Sequence, residues 1–559
     1  MANSHRKYRQ PPTVDFPDRQ WPNRRILAAP RWCSVDLRDG NQALAEPMGQ
    51  AKKRRLFDVL IKTGFREIEM GFPSASQTDF DFLRWACGVL PIHITPQVIT
   101  QARKPLIERT FESLTGYRRA IIHLYNSTSE VQRRVVFRKS RQEIIELAVQ
   151  GTEWVKQAAA RNPELEVVYQ YSPESFTGTE LDYALEVCDA VVDAWNPSTE
   201  QKMIINLPST VEMTTPNVFA DRIEWFLVNL KRRSDVVLSV HAHNDRGTGV
   251  ATAELAQLAG AERIEGTLFG NGERSGNVDL VTLAMNLYSQ GIDPELDLSN
   301  VPELIRTVEQ CTEIRVHPRH PWSGELVYTA FSGSHQDAIH KGMKERQTES
   351  SDYWEVPYLP IDPTDIGRHY EEVIRINSQS GKGGMAHVLE RDHGYRIPKA
   401  MAADFSEVVQ EVTDQTGEEL ASTAIAQLFK ARYIAAHGDN RIQSVQLLPG
   451  PSEHERIVEA DVRINGEWRK VNGRGGGAIE AFANGLHSIY PGNWDIGYYT
   501  EHARGAGATA DAVAYVAITM PDDPRLCFGV GEDSDVVNAS FLAILAALER
   551  GTFFNVTDA

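Results

Sequence analysis

The chain has 559 residues, 42% of them hydrophobic and 24% charged, with a formal net charge of −18. That length exceeds one ordinary domain and predicts two to four, with the composition of a soluble globular protein. The acidic balance argues against a nucleic-acid or anionic-membrane partner, no apolar run reaches membrane-spanning length, and five scattered cysteines without a C-x-x-C pair exclude a zinc ribbon and point to a reduced, cytoplasmic chain.

In chain order, the first 25 residues are polar and proline-containing, and read as a loosely ordered arm without an apolar signal core. Eight short β-branched runs follow: Trp32–Arg38, Arg66–Gly71, Ile92–Val98, Ala120–Asn126, Leu165–Ser172, Met203–Ser209, Val236–His243 and Arg263–Gly270. Segments with helical spacing separate them, such as SRQEIIELAVQGTEWVKQAAA and PNVFADRIEWFLVNLKRR. Strands alternating with helices predict a parallel α/β sheet. Eight such units in roughly 250 residues predict a TIM (β/α)8 barrel. An open doubly wound sheet is the alternative, disfavoured because no G-x-G-x-x-G follows the first strand. A barrel gathers the C-terminal ends of its strands at one mouth. The polar residues at those ends are Arg38 and Asp39 after the first run, Glu69 in the second, His123 in the fourth, Ser172 and Glu174 at the fifth, Thr210 after the sixth, and His241 and His243 at the seventh.

After about residue 312 the sequence becomes rich in Pro, Gly and His with short helical pieces, and residues 386–435 read as a small helical subdomain. The last region holds an internal repeat: VNGRGGGAIEAFANGLHSI (Val471–Ile489) resembles FGVGEDSDVVNASFLAILAAL (Phe528–Leu548). Each copy has β-type sequence, a glycine turn and then a helix, which predicts two paired βββα-like units. The expected division is a barrel with its arm over 1–324, linker subdomains over 325–440, and an α+β domain over 441–559. A glycine turn that opens a helix either caps it or holds a carboxylate or phosphate. One turn alone favours capping; two matched turns bring the ligand reading level with it.

His241 and His243 flank Ala242, so in a strand both imidazoles face one way, roughly 6.6–6.8 Å apart along the chain. A bare H-x-H is more often one structural and one exposed histidine. The pair becomes a metal site only with a carboxylate from elsewhere. Asp39 supplies one if the first and seventh strands end at the same mouth, and Asn277 in GNGERSGN could add an oxygen after the eighth. Such a mixed N/O set suits Mg²⁺, Mn²⁺ or Zn²⁺.

LRDGNQ (Leu37–Gln42), HAHND (His241–Asp245) and GNGERSGN (Gly270–Asn277) resemble the signatures of the α-isopropylmalate synthase/homocitrate synthase family, TIM-barrel enzymes that condense acetyl-CoA with a 2-oxo acid. GFPSASQTDFDF, YSPESFTGTELDYA, NLPSTVEMTTPN and NSQSGKGG are similar to the longer, second type of its α-isopropylmalate branch. The resemblance spans nearly the whole chain. It implies a metal-dependent Claisen condensation of acetyl-CoA with 3-methyl-2-oxobutanoate, then thioester hydrolysis. It implies Asp39, His241 and His243 as metal ligands, with Asn277 a weaker or more distant one. It sets Arg38 beside the ketone oxygen, and His123, Ser172, Glu174 and Thr210 around the oxo acid. His335 in GSHQDAIHKG and Tyr370 in GRHYEE are the implied proton-transfer groups, with Glu174 orienting His335. The family is homodimeric, and its C-terminal domain binds leucine as a feedback inhibitor. This chain reads GRGGGAIEAF where relatives carry GxGNGPxxA, which keeps the glycine turn but changes the effector's expected contacts near Gly475–Ala478. The competing readings are a homocitrate or citramalate synthase, a lyase cleaving a 3-hydroxyacyl-CoA, and a non-catalytic amino-acid sensor on a dead barrel. The long C-terminal repeat and the intact ligand motifs favour the α-isopropylmalate branch.

Overall fold

Each β-branched run alternates its side chains between two faces, and the structure uses one face for the helices and the other for a barrel lumen. The computed structural model describes residues 4–347, 351–370, 382–416, 420, 422–434, 442–452, 454–464, 466–504, 510–520 and 523–554. It divides into two units, Met1–Tyr328 with Ile361–His369, and Thr329–Pro360 with Tyr370–Ala559. Asn377 to Gly381 of the NSQSGKGG motif lie outside the described residues.

In the first unit eight strands close into a parallel barrel in sequence order: β1 (Arg31–Ser34), β2 (Glu67–Gly71), β3 (Thr95–Gln101), β4 (Arg119–Ser127), β5 (Glu166–Glu174), β6 (Met203–Ser209), β7 (Val236–Ala242) and β8 (Arg263–Gly266). Seven helices link them: α1 (Gln50–Thr63), α2 (Gln77–Ala86), α3 (Lys104–Ser113), α4 (Arg141–Arg161), α5 (Leu181–Trp195), α6 (Pro216–Asn229) and α7 (Gly249–Leu258). Then come α8 (Leu280–Tyr288) and α9 (Val301–Thr312). Pairing of β1 with β8, Arg31 opposite Arg263, closes the ring. The helix-facing residues are apolar and fully buried, such as Ile122, Leu124, Ile205, Leu207, Leu238 and Val240. Burying each contributes about 1.5–3 kcal/mol. The lumen differs from the branched-aliphatic filling usual for this fold. Ile121, Ile204 and Val237, with Val168, form one apolar plug. Towards the C-terminal ends of the strands the lumen is polar, with Glu69, Gln97, His123, Gln170, Ser172, Asn206, His241 and Glu265 all buried.

All eight expected strands are present, three of them with a boundary displaced by three residues or more. The first ends at Ser34, not Arg38, because Asp36–Gly40 winds into one π-helical turn. The amides of Arg38, Asp39 and Gly40 all converge on the Val35 carbonyl, at 3.2, 2.9 and 3.1 Å. The third begins at Thr95 because a turn closed by Ile94 N–H on Pro91 O precedes it. The eighth stops at Gly266, ahead of the glycine-rich loop.

The second unit contains α10 (Gly333–Arg346), α11 (Lys382–His393), α12 (Lys399–Thr416) and α13 (Ser422–Tyr433). The two repeat copies follow: β9 (Ile442–Pro449), β10 (Arg456–Ile464), β11 (Glu467–Gly475) and α14 (Ala478–Leu486), then β12 (Asp495–Arg504), β13 (Asp511–Met520), β14 (Asp523–Asp533) and α15 (Val536–Phe554). Each copy is an antiparallel three-stranded sheet with a helix, as the repeat predicts. Their inner faces share one core around Val458, Phe482, Leu486, Ile518 and Phe541. Phe482 and Phe541 stack at 3.8 Å between centroids. The outer face of the second sheet, with Tyr515, Phe528 and Val530, packs on Met385, Val388, Phe405 and Phe429 of α11–α13.

Candidate active site

Two short devices aim the strand ends at one point. The π-turn after β1 swings Arg38 and Asp39 into the mouth. The loop after β8 then folds back on β7: Val278 N–H bonds to Ala242 O at 2.7 Å, and His243 bridges to Asn277. That fold requires glycine. Gly276 has φ +102°, and a Cβ there would lie 1.9 Å from the Gly270 carbonyl oxygen.

The ligand atoms of Asp39, His241 and His243 lie within 4.8 Å of one another, and all three residues are buried. Asp39 Oδ2 faces His241 Nε2 at 3.3 Å and His243 Nε2 at 3.4 Å. Among the described residues no hydrogen bond reaches that oxygen. The other oxygen accepts from Arg38 at 2.8 Å. Burial opposes the charge on Asp39, yet the Arg38 guanidinium and the two imidazoles hold its carboxyl well below the ordinary range.

The rings are oriented from behind. His241 Nδ1 donates to Glu265 at 2.9 Å, and His243 Nδ1 donates to the Ser209 carbonyl at 3.2 Å. Both Nε2 atoms therefore point into the mouth, as metal-binding histidines require. Asn277 Oδ1 accepts from His241 Nε2 at 2.8 Å. Burial favours the neutral His241 ring, but the carboxylates of Asp39 and Glu265 outweigh it and push the ring up to about 10. A buried oxygen without a donor, two imidazole nitrogens and one amide oxygen thus form a set that a divalent cation fits.

Glu265 is itself fully buried and held ionised. Burial disfavours its charge, but Arg263 and His241 keep its carboxyl well below the usual range. Arg263, Gln97 and Gln170 donate to one Glu265 oxygen at 2.7, 2.9 and 2.7 Å. A second buried carboxylate, Glu69, takes Arg38 Nε, Gln97 at 3.0 Å and His123 Nδ1 at 2.9 Å. His123 Nε2 and the Ser172 hydroxyl share a hydrogen bond at 2.7 Å, while Asn206 donates to Ser172 at 3.0 Å. Ser172 is thereby bonded on both sides. Thr210 differs: its oxygen accepts from Ser175 N–H at 2.8 Å, leaving its proton available. Glu174 accepts from the Ser127 hydroxyl.

A cavity of ≈ 290 Å³ opens over this cluster, lined by Arg38, Asp39, His123, Ser172, Glu174, Thr210, His241 and His243, with Phe72, Ile99, Tyr125 and Pro208 among its less polar walls. All eight of those polar residues were singled out in the sequence. Asn277 sits beneath them, 1% exposed. His335 and Tyr370 belong to the second unit, where His335 stacks on Tyr358 with centroids 4.0 Å apart. The sequence motifs assign no role to Glu69, Glu265, Arg263 or Asn206. The usable signal was ionic residues at alternate positions of otherwise strand-like runs, as in EIEMG and RIEG.

Gly473 and Gly531, in the strands that lead into the two helix starts, have a packing cause, whereas a Cβ on the turn residue Gly477 would meet nothing within 4 Å. A Cβ on Gly473 would lie 1.8 Å from Ala481 O, and one on Gly531 would lie 2.0 Å from Ala539 O, so each last strand presses its own helix at a matched position. Both helix starts already hold the chain's own carboxylates. Glu480 accepts from Gly476 N–H at 2.8 Å, and Asp535 accepts from Val537 N–H at 2.7 Å.

Residues 29–308 match the HMGL-like family, 325–390 match the alpha-isopropylmalate synthase post-catalytic domain-like family, and 419–552 match the LeuA allosteric (dimerisation) domain. The chain is 54% identical over 551 residues to 2-isopropylmalate synthase of Rhodospirillum rubrum, covering 98% of this chain and 99% of that one. It is 52% identical to 2-isopropylmalate synthase of Pseudomonas savastanoi and 51% identical to that of Rhizobium johnstonii, each over 98% of both chains. With its barrel, its post-catalytic segment and its paired βββα units all accounted for, the chain belongs to the 2-isopropylmalate synthase family.

Proposed function

We infer that this chain condenses acetyl-CoA with 3-methyl-2-oxobutanoate and hydrolyses the thioester, giving (2S)-2-isopropylmalate and CoA, the first committed step of leucine biosynthesis. The observation that carries this reading is the convergence of Asp39, His241 and His243 beside Arg38 at one barrel mouth, in a chain 54% identical to a 2-isopropylmalate synthase.

A divalent cation held by Asp39, His241 and His243, with Asn277 beneath, supplies Lewis-acid polarisation of a chelating 2-oxo acid when bound. Mg²⁺, Mn²⁺ and Zn²⁺ all suit this N/O donor set. Arg38 provides a fixed positive charge where the ketone oxygen gains negative charge. Glu69 and Asp39 hold that guanidinium on two sides, so it reorganises little during reaction. Thr210 donates its free proton to the substrate carboxylate. His123 and Ser172 act as one hydrogen-bonded wall, with Ser172 positioned by Asn206. Glu174 offers a carboxylate at the rim. His335 and Tyr370 are the groups we assign to proton transfer from the acetyl methyl carbon, on the family resemblance of their motifs.

The match to an allosteric, dimerisation domain supports a homodimer inhibited by leucine. An effector carboxylate at Gly475–Ala478 must displace Glu480, which shares that turn. Among the described residues no helix is long and apolar enough to cross a membrane, consistent with a cytoplasmic enzyme. The test is CoA release from acetyl-CoA against a panel of 2-oxo acids, with Mg²⁺ or Mn²⁺ and with or without leucine. Preference for 3-methyl-2-oxobutanoate, reduced by leucine, is expected. Preference for 2-oxoglutarate or pyruvate would move the enzyme to homocitrate or citramalate synthesis.

A further inference from the structure

We propose that the buried ion pair Lys53–Asp79 is a positioning device that holds the Arg38–Asp39 turn, and through it the cation site, from behind. The proposal rests on the reading of Asp39, His241 and His243 as cation ligands.

Lys53 lies on α1 with no solvent exposure, an unusual place for a lysine. Its Nζ donates to the Leu37 carbonyl at 3.0 Å and pairs with Asp79 in the first turn of α2. The Leu37 carbonyl belongs to the peptide plane that precedes Arg38. Fixing that plane restrains the turn from which Arg38 and Asp39 leave the backbone, together with their amide hydrogen bonds to the Val35 carbonyl. The other Asp79 oxygen accepts from Phe72 N–H at 2.8 Å, and Phe72 lines the cavity. Gly71, at φ +151°, lies so close that a Cβ there would sit 2.6 Å from Asp79 Cγ. One ion pair thus ties together two segments of the mouth that are more than thirty residues apart in sequence.

Stability alone does not account for the pair. Replacing a buried ion pair by apolar residues of similar volume is commonly neutral or stabilising, whereas removing one partner strands a charge. The decisive variant is therefore the double replacement Lys53→Met/Asp79→Leu. It keeps an apolar filling but leaves the Leu37 carbonyl and the Phe72 amide without their fixed partners. A purely structural pair predicts no functional change in a variant that stays folded.

The experiment measures melting temperature, Mn²⁺ affinity of the metal-stripped full chain by titration calorimetry, and kcat and KM for the 2-oxo acid. We expect the double variant to fold, with Mn²⁺ affinity and kcat each lower by about 10- to 100-fold, the range typical for groups that orient metal ligands. A folded double variant with parental Mn²⁺ affinity and parental kcat would overturn the proposal. If that double variant does not fold, Lys53→Met/Asp79→Asn answers the same question, because it removes both charges while keeping the volume and one acceptor. Its expected Mn²⁺ affinity is about tenfold below the parent's, at the mild end of that range, and an unchanged value counts against the proposal. Asp39→Asn serves as the control. Undiminished Mn²⁺ binding in that variant would show that the underlying ligand reading had failed, separately from the positioning claim.

Discussion

His241 has three partners, Glu265, Asn277 and Asp39, and the one away from the cavity fits it to be the cation ligand proposed above. Glu265 accepts a hydrogen bond from Nδ1–H, so Nε2 is the atom presented to Asp39 and Asn277. Glu265→Gln should keep a hydrogen-bond acceptor but lose the charge, and lower divalent-cation affinity and kcat by about 10-fold or more, measured by calorimetry and thiol release. The pH dependence follows from the same pair. With its folded value raised to about 10, His241 carries a proton at neutral pH in the cation-free protein. Cation binding must expel that proton, so affinity should rise about tenfold per unit from pH 7 to 8 and fall as pH drops. A flat profile of calorimetric affinity over that interval would contradict the assignment. The histidines and Asp39 were legible in the sequence because spacing and motif announce them. Glu265 was not, because a carboxylate inside a strand declares its partner only once the barrel is closed.

Elements explain the rest of the site. A continuous strand through Arg38 would point Arg38 and Asp39 to opposite faces of the sheet; the π-turn lets both line one cavity. The eight strands were readable from β-branched runs, but this turn was not, since LRDG carries no glycine or proline before its last position. In the repeat, the glycines were visible while their cause was not. Close approach of Gly531 to the α15 backbone predicts that Gly531→Ala overpacks this contact and destabilises the protein by about 1–3 kcal/mol in urea unfolding, with the barrel chemistry unchanged at temperatures where the variant is folded. A neutral substitution would return the glycine turn to a ligand-binding explanation.

At the scale of the whole molecule, the helical segment and the repeat are less separable than composition suggests. The expected boundary at residue 440 follows a change of sequence character, yet Met385, Val388, Phe405 and Phe429 share a core with Tyr515, Phe528 and Val530. A chain ending at 440 should therefore lose its response to leucine and also expose the apolar faces of α11–α13, seen as increased binding of a hydrophobic dye. Retained leucine inhibition in that truncated chain would place the effector site elsewhere. The cation site is the claim on which the chemistry depends. Its most direct test is titration of Mn²⁺ into the metal-stripped parent and into Asp39→Asn, read by electron paramagnetic resonance with and without 3-methyl-2-oxobutanoate. One tightly held ion per chain is expected in the parent, with a spectrum altered by the oxo acid, and loss of both in the variant. Equal binding by the two proteins, or a spectrum blind to the oxo acid, would contradict it.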